Sequence, residues 1–114
     1  MDIRVGATCH SLQFLQATAY DTGKDVRVGS YVLHYVDGQT AELPLVYGED
    51  LADWLPATGH PMETPNASIA WTGQDIFLWK RTYANPRPEV EITHLDFVSA
   101  MAFPAPFVVA ITLE

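Results

Sequence analysis

The sequence predicts an all-β fold, an antiparallel β-sandwich of the jelly-roll type with about seven or eight strands. Three observations lead to this fold class. Segments rich in β-branched and aromatic residues recur along the chain, and short segments rich in turn-forming residues separate them. Only residues 48–55 have a pattern that could form a helical turn, which Asp50 would cap. We therefore expect one domain that covers residues 1–114.

The first half of the chain contains a central strand and a hairpin. Residues 11–20 are apolar on both alternating faces near their middle, which is typical of a strand covered on both sides. Asp37-Gly38 separates two further strand segments and favours a type I′ turn, because both central residues of that turn need positive φ. Pro44 lacks an N–H group, so the second strand of this hairpin should lie at a sheet edge or bend there.

The second half begins with an exposed loop. Residues 56–66 contain three prolines, a glycine and an asparagine, a composition typical of loops. In the last two strands, alternation places Ile92 and His94 on one face, and an unbroken apolar face runs from Phe107 to Leu113. Four strands are predicted in this half, over residues 67–71, 75–83, 90–98 and 107–113.

The negative charge disfavours two classes of partner, and the single cysteine excludes a disulfide within the chain. The chain has 14 acidic and 6 basic side chains, and its formal charge of −8 would be repelled by nucleic acid and by an anionic membrane surface. No apolar run is long enough to span a membrane. Cys9 is the only cysteine, so no disulfide can form within the chain. We expect neither a nucleic-acid partner nor a membrane partner.

Four segments carry a resemblance to a known family. They are LQFLQAT at 12–18, VGSYVLHYVDGQT at 28–40, LPLVYG at 43–48 and AITLE at 110–114. In this order they resemble the galactose-binding-like β-sandwich modules attached to bacterial secreted glycoside hydrolases and cell-surface proteins. The resemblance implies a jelly-roll fold without catalysis, sugar binding through loops at one end, and often a structural calcium ion. It also implies an extracellular or cell-surface location, with flanking domains of a larger parent protein as partners.

Candidate ligand-binding residues follow from the chemistry of sugars. Aromatic rings pack against the C–H faces of sugar rings, and neighbouring arginine, asparagine and acidic side chains bind the hydroxyl groups. For each candidate a purely structural role is the alternative, since tryptophans often fill a small core, and Arg81 and Arg87 could neutralise Glu89 and Glu91. The predicted carbohydrate-binding residues are Tyr47, Glu49, Trp54, Trp79, Arg81, Tyr83, Asn85 and Arg87.

Metal-binding patterns are weak in this sequence. Glu49, Asp50 and Asp53 form a small acidic group that is a weak candidate for a structural calcium site, and no other cofactor is predicted. The histidines occur without an H-x-H pair or an H-E-x-x-H motif. We therefore expect His34 and His94 to be structural residues of the sheets.

The sequence predicts no catalytic activity. It contains no nucleophile elbow, and the adjacency of Cys9 and His10 does not itself make a catalytic dyad. The leading hypothesis is a non-catalytic carbohydrate-binding module of a larger secreted bacterial protein, which binds a polysaccharide or oligosaccharide. A protein-interaction or spacer β-sandwich is the alternative, and a small histidine-dependent copper enzyme acting on carbohydrate is the third hypothesis.

Overall fold

The chain folds into two antiparallel β-sheets. The computed structural model describes residues 2–19, 26–56, 59–74, 76–100 and 105–114, and at Ala105 the backbone alone. These residues form strands and turns without any helix, and so without one long and apolar enough to cross a bilayer. The eight strands in this part of the chain are β1 (Asp2–Ala7), β2 (Ser11–Ala19), β3 (Arg27–Tyr35), β4 (Thr40–Val46), β5 (Ala67–Gly73), β6 (Ile76–Ala84), β7 (Ile92–Ser99) and β8 (Ala105–Leu113).

Each sheet combines strands from distant parts of the chain. Sheet A has the strand order β1-β7-β3-β4, and sheet B has the order β5-β6-β2-β8. Among these eight strands, the β3–β4 and β5–β6 connections join neighbours within a sheet, whereas the other connections cross between the sheets. Two stacked four-stranded antiparallel sheets confirm the predicted β-sandwich.

The core lies between the sheets because alternate residues of each strand face inward. Strand β2 buries Leu12 and Phe14 completely, and β3 does the same with Tyr31 and Leu33. The rings of Phe14 and Tyr31 stack on each other from opposite sheets, with their centroids 3.8 Å apart. Burial of these large apolar side chains supplies the main stabilising free energy of the sandwich.

The predicted places of two strands in the sheets are confirmed. Strand β2 lies inside sheet B between β6 and β8, as a central strand should, but only its inner face is covered, and Gln13 and Leu15 on its outer face are half-buried. Strand β4 lies at an edge of sheet A, where the missing N–H of Pro44 costs no ladder hydrogen bond on the open side. Tyr20 and Asp75, which the predicted strands included, lie outside the described residues.

The β3–β4 hairpin differs from the predicted type I′ turn. The N–H of Gly38 donates to the carbonyl of Tyr35, so Val36 and Asp37 are the central residues of the turn. Gly38 follows them with φ of 89°, and the N–H of Tyr35 donates to the carbonyl of Gln39. The hairpin is therefore a three-residue loop with a glycine in the left-handed region after the turn, another favoured way to match strand twist.

Residues 48–55 do not form the predicted helical turn. The N–H groups of Glu49 and Asp50 both donate to the carbonyl of Val46, and Tyr47 forms an isolated bridge with Leu51. The carboxylate of Asp50 accepts the N–H of Val46 at 2.8 Å, so it caps a tight loop. The short segment gains more from this local bonding than from one helical turn, whose nucleation is unfavourable.

A β-bulge on β7 changes the predicted face of Ile92. His34 pairs with His94, but the next residue, Tyr35, pairs with Ile92, so Thr93 is the extra residue. The bulge breaks the alternation, which sends Ile92 into the core and leaves His94 on the outer face of sheet A. The prediction that Ile92 and His94 share a face was therefore wrong.

Candidate functional site

Strand β6 carries three predicted ligand residues, and all three face the inside of the sandwich. Trp79 pairs with Gln16, and Tyr83 pairs with Leu12, both of them buried residues of β2. The Trp79 ring is fully buried, and Tyr83 is only 5% exposed. A ring that is enclosed in this way has no face available for a sugar, so both residues serve the core in this conformation.

Arg81 lies between these two aromatic residues and is held by an internal ion pair. Its guanidinium group lies over the Tyr83 ring, 4.0 Å from the centroid, and its Nε donates to Oδ1 of Asp50 at 2.7 Å. A second nitrogen donates to the carbonyl of Thr82. Burial raises the pKa of Tyr83, and the neighbouring Asp50 carboxylate adds to this rise. The arginine therefore stabilises the fold through a buried carboxylate.

Two of the three acidic residues predicted to bind calcium already accept hydrogen bonds from the chain. Asp50 is buried, and its two oxygens already accept hydrogen bonds from Arg81 and from the N–H of Val46. The carboxylate of Asp53 accepts the N–H of Leu55 at 3.1 Å. Among the described residues, these acids do not form one of the groups close enough to share a metal ion.

Tyr47 and Trp54 pack against other parts of the chain. Tyr47 is almost completely buried, and its hydroxyl accepts the N–H of Asp53. Trp54 is half-buried and meets Phe107 edge to face, with the ring centroids 5.7 Å apart. Glu49 is half-buried next to Asp50. None of these contacts creates an exposed aromatic surface at this loop.

Asn85 and Arg87 fasten one end of the sandwich. Asn85 is buried, accepts the hydroxyl of Tyr35 at 2.6 Å and donates to the carbonyl of Cys9 at 2.8 Å. Arg87 binds Asp37 with both terminal nitrogens and lies over the Tyr35 ring. The ion-pair partner of Arg87 is thus Asp37, on the β3–β4 hairpin. Like Arg81, this arginine is paired within the chain.

An exposed tryptophan that was not predicted as a ligand residue lies on edge strand β5. Ile69 pairs with Trp79, but Trp71 pairs with Leu78, so a bulge at Ala70 shifts Trp71 to the outer face of sheet B. Trp71 is 49% exposed. A Cβ atom placed on Gly73 would lie only 2.4 Å from the indole, so the ring lies across the bare backbone of that glycine.

Polar side chains share this outer face with Trp71. The strand register places Lys80 opposite Leu15 and Gln13 opposite Thr112, on the face away from the core. A shallow depression of about 210 Å³ lies among them and reaches Ala70, the neighbour of Trp71. We call this region the outer face of sheet B: it comprises Gln13, Leu15, Ala70, Trp71, Lys80, Ala110 and Thr112.

A groove lies next to this face, beside the inner side of β5. It has a volume of about 530 Å³ and is formed by residues 61–65 together with Ala67 and Ile69. The ring of Trp79 lies under the floor of the groove and is fully buried. Met62 and Ile69 give the groove an apolar character, and Glu63 supplies a charge at its margin. Strand β5 therefore has an accessible surface on both sides.

Two histidines that were expected to be structural converge on the opposite sheet. His34 on β3 and His94 on β7 are direct partners in the register and lie half-buried on the outer face of sheet A. The sequence could not predict this pair, because 59 intervening residues separate the two positions and no local motif joins them. Only the pairing of β3 with β7 brings them together.

The comparisons with known proteins give no family to which the chain can be assigned. No protein-family model, no curated protein and no solved structure matches it.

Proposed function

We propose that the chain is a non-catalytic carbohydrate-binding module and that the outer face of sheet B is its binding surface. The observation that carries the proposal is the indole of Trp71, half-exposed and lying across Gly73. An indole held against the backbone offers its free face to the C–H side of a sugar ring. The rigidity of the sheet beneath it lowers the entropy lost on binding.

The polar residues of the same face suit the hydroxyl groups of a sugar chain. Lys80 donates hydrogen bonds, while the amide of Gln13 and the hydroxyl of Thr112 both donate and accept them. Four strands spaced by about 4.8 Å make this face roughly 14 Å wide from β5 to β8. That width favours an extended oligosaccharide or polysaccharide, which crosses the strands from Trp71 towards Thr112.

The depth of the surface favours binding over catalysis. The depression of about 210 Å³ is smaller than the usual volume of a pocket that encloses a small molecule, roughly 300–1,000 Å³. Glycoside hydrolysis requires two carboxyl groups across the scissile bond. None of the seven residues that define the outer face of sheet B is acidic, so they do not supply such a pair. A shallow face gives weak binding that several modules in one protein strengthen through avidity.

Affinity electrophoresis against neutral and acidic polysaccharides, with a glycan array, tests the proposal. We expect at least one polysaccharide to retard the protein. Trp71→Ala should weaken that binding by about tenfold, because loss of one aromatic anchor typically costs above 1 kcal/mol. Val36→Ala is a matched control, since Val36 is also an exposed apolar residue but lies on the hairpin of the other sheet.

Two results would contradict the proposal. One is a wild-type chain that no polysaccharide or glycan retards or binds. The other is a Trp71→Ala variant that binds as tightly as the wild type. The circular dichroism spectra and melting temperatures of both variants should stay close to those of the wild type, because Val36 and Trp71 are 62% and 49% exposed and lie outside the core.

A protein-interaction function is the second candidate, and the exposed edge of β5 favours it. Five of the seven residues of β5 are exposed, including Ile69 and Trp71. The open N–H and C=O groups of an edge strand can pair with an extended peptide segment. If every polysaccharide fails to bind, and sedimentation reveals association that Ile69→Lys abolishes, this function replaces the first.

A further inference from the structure

A second cluster of functional groups lies on the outer face of sheet A, on the opposite side of the sandwich. The imidazole rings of His34 and His94 stack almost in parallel, 7° apart in plane and with centroids separated by 4.2 Å. Asp96 follows on the same face of β7, and its Oδ2 lies 2.9 Å from Nε2 of His34. One ligand atom from each of the three residues lies within 4.8 Å of the others.

The bulge residue Thr93 fixes the proton on His94. Its Oγ1 lies 3.0 Å from the carbonyl oxygen of His34 and 2.9 Å from Nδ1 of His94. Because a carbonyl can only accept, the hydroxyl donates its one hydrogen there and must accept from the imidazole. Nδ1 of His94 therefore carries the proton, and the lone pair of Nε2 is free. Metal-binding histidines are typically oriented by a second-shell hydrogen bond of this kind.

We propose that His34, His94 and Asp96 bind a divalent transition-metal ion of the zinc class. Two imidazole nitrogens and one carboxylate oxygen form a donor set that zinc favours, whereas calcium and magnesium favour oxygen donors alone. A tetrahedral ion with bonds of about 2.0–2.1 Å holds its donors roughly 3.3 Å apart. The ion takes the place of the hydrogen between His34 and Asp96, whose atoms move apart by a few tenths of an ångström. The His94 ring, whose ligand atom lies within 4.8 Å of the other two, turns out of its stack on His34 to complete the donor set.

The surroundings of the cluster permit this movement and keep one position open. The side chains of His34 and Asp96 are about one-third exposed, so they can shift without disturbing the core. On the neighbouring strand β1, Asp2 lies opposite Asp96 and Arg4 lies opposite His94. One negatively charged and one positively charged residue therefore flank the ion. With three protein ligands on a solvent-facing sheet, the fourth position of the metal takes water or an exchangeable ligand.

Isothermal titration calorimetry of the metal-free chain with Zn²⁺ alone tests the site. We expect one Zn²⁺ per chain and no comparable binding of Mg²⁺. The variants His34→Ala, His94→Ala and Asp96→Asn should each weaken Zn²⁺ binding at least about tenfold. Thr93→Val, which removes only the second-shell hydroxyl, should weaken it by about 10- to 100-fold. His10→Ala is the matched control, because His10 is exposed and lies outside the cluster.

A spectroscopic readout on the wild type separates metal binding from a folding defect in a variant. Zn²⁺ should shift the imidazole nitrogen resonances of His34 and His94 and leave those of His10 and His60 unchanged. The absence of stoichiometric Zn²⁺ binding, or imidazole shifts confined to His10 and His60, would overturn the proposal. Polysaccharide binding on sheet B is a separate measurement, so failure of either proposal is recognised independently of the other.

Discussion

The Nε atom of Arg81 lies 2.7 Å from Oδ1 of Asp50, and the acid of this pair is almost completely buried. The bond links β6 to the loop that follows β4, and 31 positions separate the two residues in sequence. The Tyr83 ring packs beneath the guanidinium group and excludes water from one side. Because an unpaired buried carboxylate is strongly destabilising, this pair holds the loop against sheet B.

We expect Arg81→Met to lower the free energy of unfolding by on the order of 3 kcal/mol. Methionine retains apolar volume but leaves Asp50 buried without its cation. Urea denaturation monitored by circular dichroism measures the change. The double variant Arg81→Met with Asp50→Asn should recover part of the loss, because the charge is then absent. Equal stability of Arg81→Met and the wild type would disprove this role of the pair.

A second buried network joins the two sheets through Tyr31. Its hydroxyl donates to Oε1 of Gln16 at 2.6 Å, and Nε2 of Gln16 donates to the carbonyl of Asp50 at 3.2 Å. Tyr31 and Gln16 are both fully buried, and this burial raises the pKa of Tyr31 above the usual range. No solvent can replace the lost bond when the hydroxyl is removed.

Tyr31→Phe should therefore reduce the free energy of unfolding by about 1–3 kcal/mol, the usual cost of leaving a buried acceptor without its donor. Chemical denaturation at neutral pH measures this effect. Tyr47→Phe is a useful control, since the bond that the Tyr47 hydroxyl accepts from the N–H of Asp53 is longer, at 3.3 Å. If Tyr31→Phe were as stable as the wild type, the network would contribute nothing.

The hairpin carboxylate Asp37 should titrate at unusually low pH. Its hydrogen bonds from Arg87, together with one from the N–H of Gln39, lower the pKa of Asp37 from 3.8 to about 2. Because the folded pKa is depressed, the stabilisation is complete above pH 3.8 and is lost as the pH falls through 2. NMR titration of the Asp37 carboxyl carbon measures the pKa. In Arg87→Ala we expect it to return towards 3.8, and an unchanged value would contradict the assignment.

Several features of the fold were predictable because they depend on local sequence. The edge position of β4 follows from Pro44, and the buried inner face of β2 follows from the alternation of Leu12 and Phe14 with polar Gln13. Features that depend on pairing between distant strands were not predictable. The bulge at Thr93 reverses the face of Ile92, and nothing in the residues around it indicates the skipped position.

The candidate surfaces were harder to predict than the strands for the same reason. The sequence indicated Trp79 and Tyr83 as ligand residues because they alternate with Arg81, but alternation does not say which face is buried. Trp71 becomes exposed through the bulge at Ala70. Gly73, two positions after Trp71 on the same strand, was the one local signal that the indole could lie across the backbone of β5.

Cys9 should be an unreactive thiol in the folded protein. It is 6% exposed, and burial raises its pKa above 9.0, although a hydrogen bond from Asn85 partly opposes the rise. The thiolate is the reactive species, so we expect a chromogenic disulfide reagent at about pH 8 to react at least about tenfold more slowly with the folded chain than with the chain in denaturant. Equal rates in the two states would show that the Cys9 site opens freely.

Gly73→Ala should disturb the surface of Trp71 without unfolding the sheet. The backbone of Gly73 has no positive φ, so the effect comes from the added methyl group, which would lie 2.4 Å from the indole. The ring must then lift from the backbone. Acrylamide quenching of tryptophan fluorescence should increase, because Trp79 is buried and Trp54 is half-buried, which leaves Trp71 as the most accessible ring.

The affinity for the polysaccharide that binds the wild type should fall by about tenfold in Gly73→Ala, since the platform is no longer pre-organised. Thr72→Ala, a change at the adjacent exposed position, should leave both measurements unchanged. Unaltered quenching in Gly73→Ala would mean that the indole does not rest on this glycine in solution, and the stacking surface would lose its physical basis.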